Sequence, residues 1–210
     1  RKMLLGVDRL DYTKGIPARL EAFEWMLEHQ PSLRGRAVFV QVAAPTRTEI
    51  EDYRLLAEQV RARVHAINTR FATENWQPVQ LIEHSLRLEI LVALYRIADV
   101  AVVSSLYDGL NLVAKEYVAA RVDGDGALCL SETAGAYNEL RDAFPLSPLM
   151  PERMAEGILR ALAAGPEERQ ERMRRLQAAV HQNTIDTWLT GAVQGIRRSR
   201  PDRFNTQMSN

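Results

Sequence analysis

Five short runs of β-branched and apolar residues, at 2–7, 38–42, 79–82, 100–104 and 127–130, alternate with stretches of helical periodicity, and this limits the fold more than any other feature. The alternation predicts an α/β chain: a doubly wound parallel sheet with helices between its strands. Between the first two runs, Pro17 suits the first turn of a helix whose apolar stripe is Leu20, Phe23 and Leu27. Thr46 with Glu49 reads as a capping box for the next helix, and Ser85 as the cap of a third carrying Ile90, Leu94 and Ile97. After Pro148 the strand pattern stops. Residues 150–164, 166–182 and 183–198 read as helices, so 1–198 is expected to form one domain, followed by a polar, frayed tail at 199–210.

Composition narrows the partners. The 27 basic and 27 acidic residues cancel, which leaves no global field for nucleic acid or an anionic membrane. Any anion specificity must therefore be local. The lone cysteine, Cys129, falls in an apolar run and reads as a core thiol, which fits a reducing, cytoplasmic setting. No apolar stretch approaches the roughly 20 residues of a membrane span. The chain opens at Arg1 almost directly on a strand, as a piece of a longer protein would.

Two segments carry the chemistry. Val7-Asp8-Arg9-Leu10-Asp11-Tyr12-Thr13-Lys14-Gly15 follows the first run, and Asp108-Gly109-Leu110-Asn111-Leu112-Val113-Ala114-Lys115-Glu116 follows the fourth. Both should lie at the carboxyl edge of the sheet, where open α/β folds bind ligands. A guanidinium at Arg9 and an ammonium at Lys14 could grip a diphosphate from two sides, or could simply be solvated loop cations. Past the turn glycine Gly109, the N–H groups of Leu112 and Val113 open a helix and point toward an anion. Glu116, three to four residues on, could accept hydrogen bonds from ribose hydroxyls or pair with Lys115 or Arg121 in solvent. Asp108 could orient sugar hydroxyls or cap the helix.

Other signals read as structure. Asp123-Gly124-Asp125 is a D-x-D triplet, but it precedes the fifth run and so belongs at the amino edge, away from the site. No metal site is expected. His29, His65, His84 and His181 have no ligand spacing, and only His84 lies near a strand end. Trp25, Trp76 and Trp188 read as packing residues, and the run from Arg169 to Arg175 as a solvated helix face. The absence of G-x-G-x-x-G after any strand argues against a nicotinamide-dependent dehydrogenase.

Five blocks together make a closer identification: Val7 to Pro17, Gln41-Val42-Ala43-Ala44-Pro45-Thr46-Arg47, Ile67-Asn68 with Trp76 and Pro78, Asp108 to Arg121, and Leu130-Ser131-Glu132-Thr133-Ala134-Gly135-Ala136. In order and spacing the chain resembles the trehalose-6-phosphate synthase family from Met3 to about Trp188. That resemblance implies the carboxy-terminal, donor-binding, Rossmann-like half of a GT-B glycosyltransferase. It further implies a retaining transfer of glucose from UDP-glucose to glucose 6-phosphate, with no cofactor beyond the nucleotide sugar. Arg9 and Lys14 would hold the donor diphosphate and Asp108 the glucose hydroxyls. Tyr95 would stand beside the base, and Arg47 would reach the acceptor phosphate. The stretch Gly109, Asn111, Leu112, Val113, Ala114, Lys115 and Glu116 would surround phosphate and ribose. The partner is an amino-terminal half carrying most of the acceptor site and a histidine near the anomeric centre, and the protein could form an oligomer. The family usually has methionine at Leu110, arginine at Tyr107, an aromatic at Thr133 and Asn-Pro at Ser147-Pro148. Leu110 followed by Asn-Leu-Val-Ala-Lys-Glu-Tyr is similar to the related glucosylglycerol-phosphate synthases, which implies as an alternative such an enzyme using ADP-glucose, whereas Pro45 to Arg47 is closer to the trehalose enzymes. A nucleotide-sugar-binding domain without catalysis is the other alternative.

Overall fold

Along each central strand, successive buried residues belong alternately to two separate hydrophobic clusters, as the two-residue strand period requires of a sheet covered on both faces. The computed structural model describes residues 1–183 and, beyond them, Thr187, Leu189, Thr190, Val193, Gln194 and Gly195. Its sheet contains β1 (Lys2–Arg9), β2 (Ala37–Ala44), β3 (Val79–Ile82), β4 (Val100–Val103), β5 (Ala127–Ser131) and β6 (Phe144–Leu146), in the order β3-β2-β1-β4-β5-β6. All pairings are parallel. Leu4, Val100, Val102, Ala127 and Cys129 face α1 (Ile16–His29), α2 (Glu51–Phe71) and α5 (Pro151–Ala163). Leu5, Ala101, Val103, Leu128 and Leu130 face α3 (Leu88–Ile97), α4 (Leu112–Ala120) and α6 (Pro166–Gln182). The sheet is doubly wound, as the sequence pattern predicts. Cys129 is buried, and burial pushes its thiol well above the usual range, so it is an inert core group.

The sixth strand escapes the sequence pattern. It has three residues with the exposed Pro145 at its centre, and it pairs only with β5. An edge strand needs hydrogen bonds on one side only, so proline is tolerated there. β1 also runs two residues past Val7, because Asp8 and Arg9 stay in register with Ala43 and Ala44.

Helix starts are corrected more often than helix bodies. Leu20, Phe23 and Leu27 are fully buried on α1, as expected. The N-cap Gly15 has φ 65°, and a Cβ there would lie 2.5 Å from the Ser104 carbonyl oxygen, so only glycine fits. Thr46 and Glu49 do not form a capping box: α2 starts at Glu51 with no side-chain cap, and Glu51 and Asp52 answer the helix dipole instead. Ser85 does not cap α3 either, since that helix begins at Leu88 after Arg87. Its expected stripe is also displaced, with Ile90 and Ile97 exposed at 45% and 64% and Tyr95 taking the buried position. Trp76 is a packing residue whose Nε1 donates to the Ala37 carbonyl, and Trp25 stacks on His29. Trp188, the helix expected over 183–198 apart from the residues named above, and the tail at 199–210 lie outside the described residues. Among the described residues no helix is long and apolar enough to cross a membrane.

The arginine run on α6 is not merely a solvated face. Arg169 makes two hydrogen bonds to Asp125, and the Arg172 guanidinium lies 4.4 Å from the Phe144 ring centroid. With Asp123 bonded to Arg121, both acids of the D-x-D triplet are engaged at the amino edge of β5. Hydrogen bonds from Arg169 hold the Asp125 carboxyl down at about 2, against an ordinary 3.8. A folded value below the unfolded one means that this pair stabilises the fold above pH ~4 and that its contribution is lost as pH falls toward 2. Asp125 is partly exposed, so screening limits the contribution to about 1 kcal/mol. Asp125→Asn should therefore be less stable than the parent at pH 7 by about that amount and indistinguishable from it near pH 2, as measured by urea unfolding across pH.

Candidate functional site

The strand order reverses between β1 and β4, and the loops that leave these two strands must separate there, opening a crevice at the carboxyl edge. A cleft of about 490 Å³ occupies that position. Val7, Asp8, Arg9 and Lys14 line it from β1 and the turn that follows, and Asp108, Leu110, Asn111, Leu112 and Val113 from the loop and helix after β4. Ser85, Leu86 and Leu91 close the third side.

Each polar group has a definite setting. The Arg9 side chain is exposed in the cleft and makes no hydrogen bond or ion pair with a described residue. Lys14 is not an independent cation, because its Nζ lies 2.6 Å from Asp108 Oδ2, with both side chains largely shielded from solvent. Burial raises the Asp108 carboxyl, but Lys14, the Asn111 amide and the Leu110 N–H outweigh it and leave Asp108 below the usual carboxylate range. Asp108 stays ionised at neutral pH. It is also not the helix cap: Asn111, at φ 63°, accepts from Ala114 N at 3.1 Å and donates to Asp108 Oδ2 at 3.0 Å. The Ala114 N–H is thus taken, while those of Leu112 and Val113 remain as the orphan donors of the first turn on the cleft wall.

The loop at 104–111 is held from behind. Gly135 N and Ala136 N donate to the carbonyls of Asp108 and Leu110, and a Cβ at Gly135 would fall 2.0 Å from the Gly109 oxygen. The steric need for glycine therefore sits at Gly135; Gly109 itself has open space. Thr133 bonds the Ser105 carbonyl through its hydroxyl.

Beneath the cleft lies a group that sequence reading passed over. The fully buried Arg19 donates to Asp8 Oδ2 at 2.6 Å, Gln41 Oε1 at 3.0 Å, Ser104 Oγ at 2.9 Å and the Lys14 carbonyl at 3.2 Å. Its signal was available: Arg19 falls between Ile16 and Phe23 at spacings of three and four, on the apolar stripe of α1.

Other expected residues lie outside the cleft lining. Arg47 is exposed at φ 48° beyond β2, and its Nη1 bonds the Tyr53 hydroxyl, which donates to Asp11. Tyr95 is not open to the cleft. Its ring is buried and its hydroxyl donates to Glu116 at 2.9 Å. Glu116 therefore pairs with neither Lys115, which bonds Glu139, nor Arg121, which caps carbonyls at the end of α3. His84 is exposed and outside the lining.

An exposed guanidinium, two free N–H groups at a helix start and a separable Lys14–Asp108 pair can receive a diphosphate and a polyhydroxyl group side by side. Comparison with known proteins agrees with that chemistry. The model of glycosyltransferase family 20 matches residues 1–198. A trehalose-6-phosphate synthase of Mycobacterium sp. is 44% identical over 188 residues, covering 90% of this chain and 39% of its own length. A UDP-forming alpha,alpha-trehalose-phosphate synthase of Schizosaccharomyces pombe is 39% identical, with 94% and 38% covered. A crystal structure of the UDP-forming enzyme of Burkholderia xenovorans in complex with glucose-6-phosphate matches with a TM-score of 0.90 at 39% identity, with 94% and 44% covered. The chain thus spans well under half the length of each of these relatives.

Proposed function

The chain belongs to glycosyltransferase family 20, and from that premise we propose that it is the donor-binding part of a retaining glucosyltransferase that moves glucose from UDP-glucose to glucose 6-phosphate. Its sheet and helices are the Rossmann-like half of a GT-B fold. The observation that carries the proposal is the cleft itself, where Arg9, the Lys14–Asp108 pair and the first-turn N–H groups of α4 converge. Support for the donor and acceptor comes from relatives named UDP-forming and from the Burkholderia complex with glucose-6-phosphate. Nothing in these relatives supports the adenosine donor or the glucosylglycerol-phosphate alternative.

In this reading the diphosphate draws Lys14 away from Asp108. The carboxylate is then free to accept glucose hydroxyls, and Glu116 faces the ribose. As the anomeric bond breaks toward an oxocarbenium-like state, negative charge grows on the leaving diphosphate. Arg9, Lys14 and the α4 N-terminus lie where that charge develops, and each well-placed donor is worth about 2–4 kcal/mol. Arg47, outside the cleft lining, is the group proposed to meet the acceptor phosphate. The remaining length of the relatives is proposed to supply the rest of the acceptor side, since a reaction in a cleft between two halves needs both to exclude water and align the acceptor.

Calorimetry with UDP and uridine, followed by incubation with UDP-glucose and glucose 6-phosphate, tests this. The chain should bind UDP, with EDTA making no difference, and should transfer no glucose alone. Failure of the folded chain to bind UDP would remove the donor-site reading. Transfer by the chain alone would remove the two-half reading, and UDP binding that needs a divalent ion would show that the side-chain cations do not suffice.

A further inference from the structure

The wall of the cleft continues along two helices. Leu91 on α3 and Val113 on α4 line it, and Tyr95 and Glu116 follow four and three residues later on the same helix faces. The two side chains differ in freedom. The Tyr95 ring is 1% exposed, sits edge-on to Tyr117 with centroids 6.3 Å apart, and has its own carbonyl held by Arg121 Nη1. Its hydroxyl is therefore a fixed donor. Burial, reinforced by the Glu116 carboxylate, also raises the phenol well above its usual range, so it keeps its proton. Glu116 is exposed and has three side-chain torsions, and of its carboxylate only Oε2 is bonded, to Tyr95, among the described residues.

We propose that Tyr95 is a positioning residue for ribose recognition: by holding Glu116 Oε2, its hydroxyl turns Oε1 toward the vicinal hydroxyls of a bound nucleoside diphosphate. The proposal rests on the reading above that Glu116 faces the ribose. An unanchored glutamate would have to lose its rotamer freedom when the ligand arrives, and the bond from Tyr95 removes that freedom beforehand. The benefit should go to ligands that carry the hydroxyls. A tyrosine that merely filled the core would help every ligand equally.

The test compares UDP with 2′,3′-dideoxy-UDP by calorimetry on the parent, Tyr95→Phe and Glu116→Ala. Phenylalanine keeps the ring and its packing, so the fold should survive, as circular dichroism will show. Tyr95→Phe is expected to weaken UDP roughly three- to tenfold while leaving dideoxy-UDP nearly unchanged. Glu116→Ala should compress the ratio at least as far. If Tyr95→Phe keeps the parent ratio while Glu116→Ala compresses it, the positioning role is wrong and the ribose reading stands. If neither variant changes the ratio, the ribose reading has failed and the proposal falls with it. Equal weakening of both ligands by Tyr95→Phe would mean a structural role only and would also overturn it.

Discussion

Arg19→Met should destabilise the protein by about 3–5 kcal/mol at pH 7, the cost of leaving a buried charge without its partner. The Arg19 side chain is 0% exposed and that of Asp8 3%. Methionine fills much of the space but answers none of the four groups the guanidinium bonds, which lie on β1, on β2, just past β4 and in the turn at Lys14. Burial already pushes the Asp8 carboxyl up, with Arg19 opposing it. Without Arg19 that rise must grow, so the native state would hold a proton that the unfolded chain releases. Stability of the variant should therefore fall as pH rises above the ordinary carboxylate range, and its deficit against the parent should shrink as pH is lowered from 7 toward 5. Denaturant midpoints at several pH values check both statements. A deficit below about 1 kcal/mol at pH 7 would show that Asp8 is not held as a buried ion. Asp8→Asn should recover part of the loss in the double variant, though not all, because Ser104, Gln41 and the Lys14 carbonyl would still lack their donor.

Arg9→Ala and Lys14→Ala should each weaken UDP by roughly 1.5–3 kcal/mol, the worth of a charge-assisted hydrogen bond, and leave uridine nearly untouched. The two losses should not be equal. Removing Arg9 deletes a cation with no partner among the described residues, whereas removing Lys14 also strips Asp108 of the ammonium 2.6 Å away and leaves a carboxylate facing the diphosphate. Lys14→Ala should be the worse variant. Adding Asp108→Asn to it should restore part of the UDP affinity, a coupling that a double-mutant cycle reads directly. Equal losses for UDP and uridine would show that these cations do not meet the diphosphate.

Both expectations depend on groups whose partners are far away in the chain, and that separates what was legible from what was not. Arg9 and Lys14 could be picked out from strand-to-loop position alone, and Leu112 and Val113 from the helix pattern after Gly109. The sequence could not show that Lys14 is paired across 94 residues with Asp108, or that the buried Tyr95 donates its hydroxyl to Glu116. Ser85, Leu86 and Leu91 reach the cleft because the connection that leaves the edge strand β3 must cross back past β2 and β1 to enter β4.

Strand periodicity, helix stripes and turn residues are local quantities, fixed by the side chains within a few positions of one another. For that reason the sequence by itself determined the doubly wound α/β sheet, the carboxyl edge as the place where the two motif segments meet, and the burial of Cys129. Tertiary structure decided the rest. It replaced the expected caps at Thr46 and Ser85 with other helix starts, recruited Pro145 into an edge strand with one neighbour, and made Arg169 a partner of Asp125. It also buried Arg19 beneath the cleft. A charge on an apolar stripe is stable only where distant segments bring it acceptors, and the closing of the sheet brings Asp8, Gln41, Ser104 and Lys14 to one guanidinium.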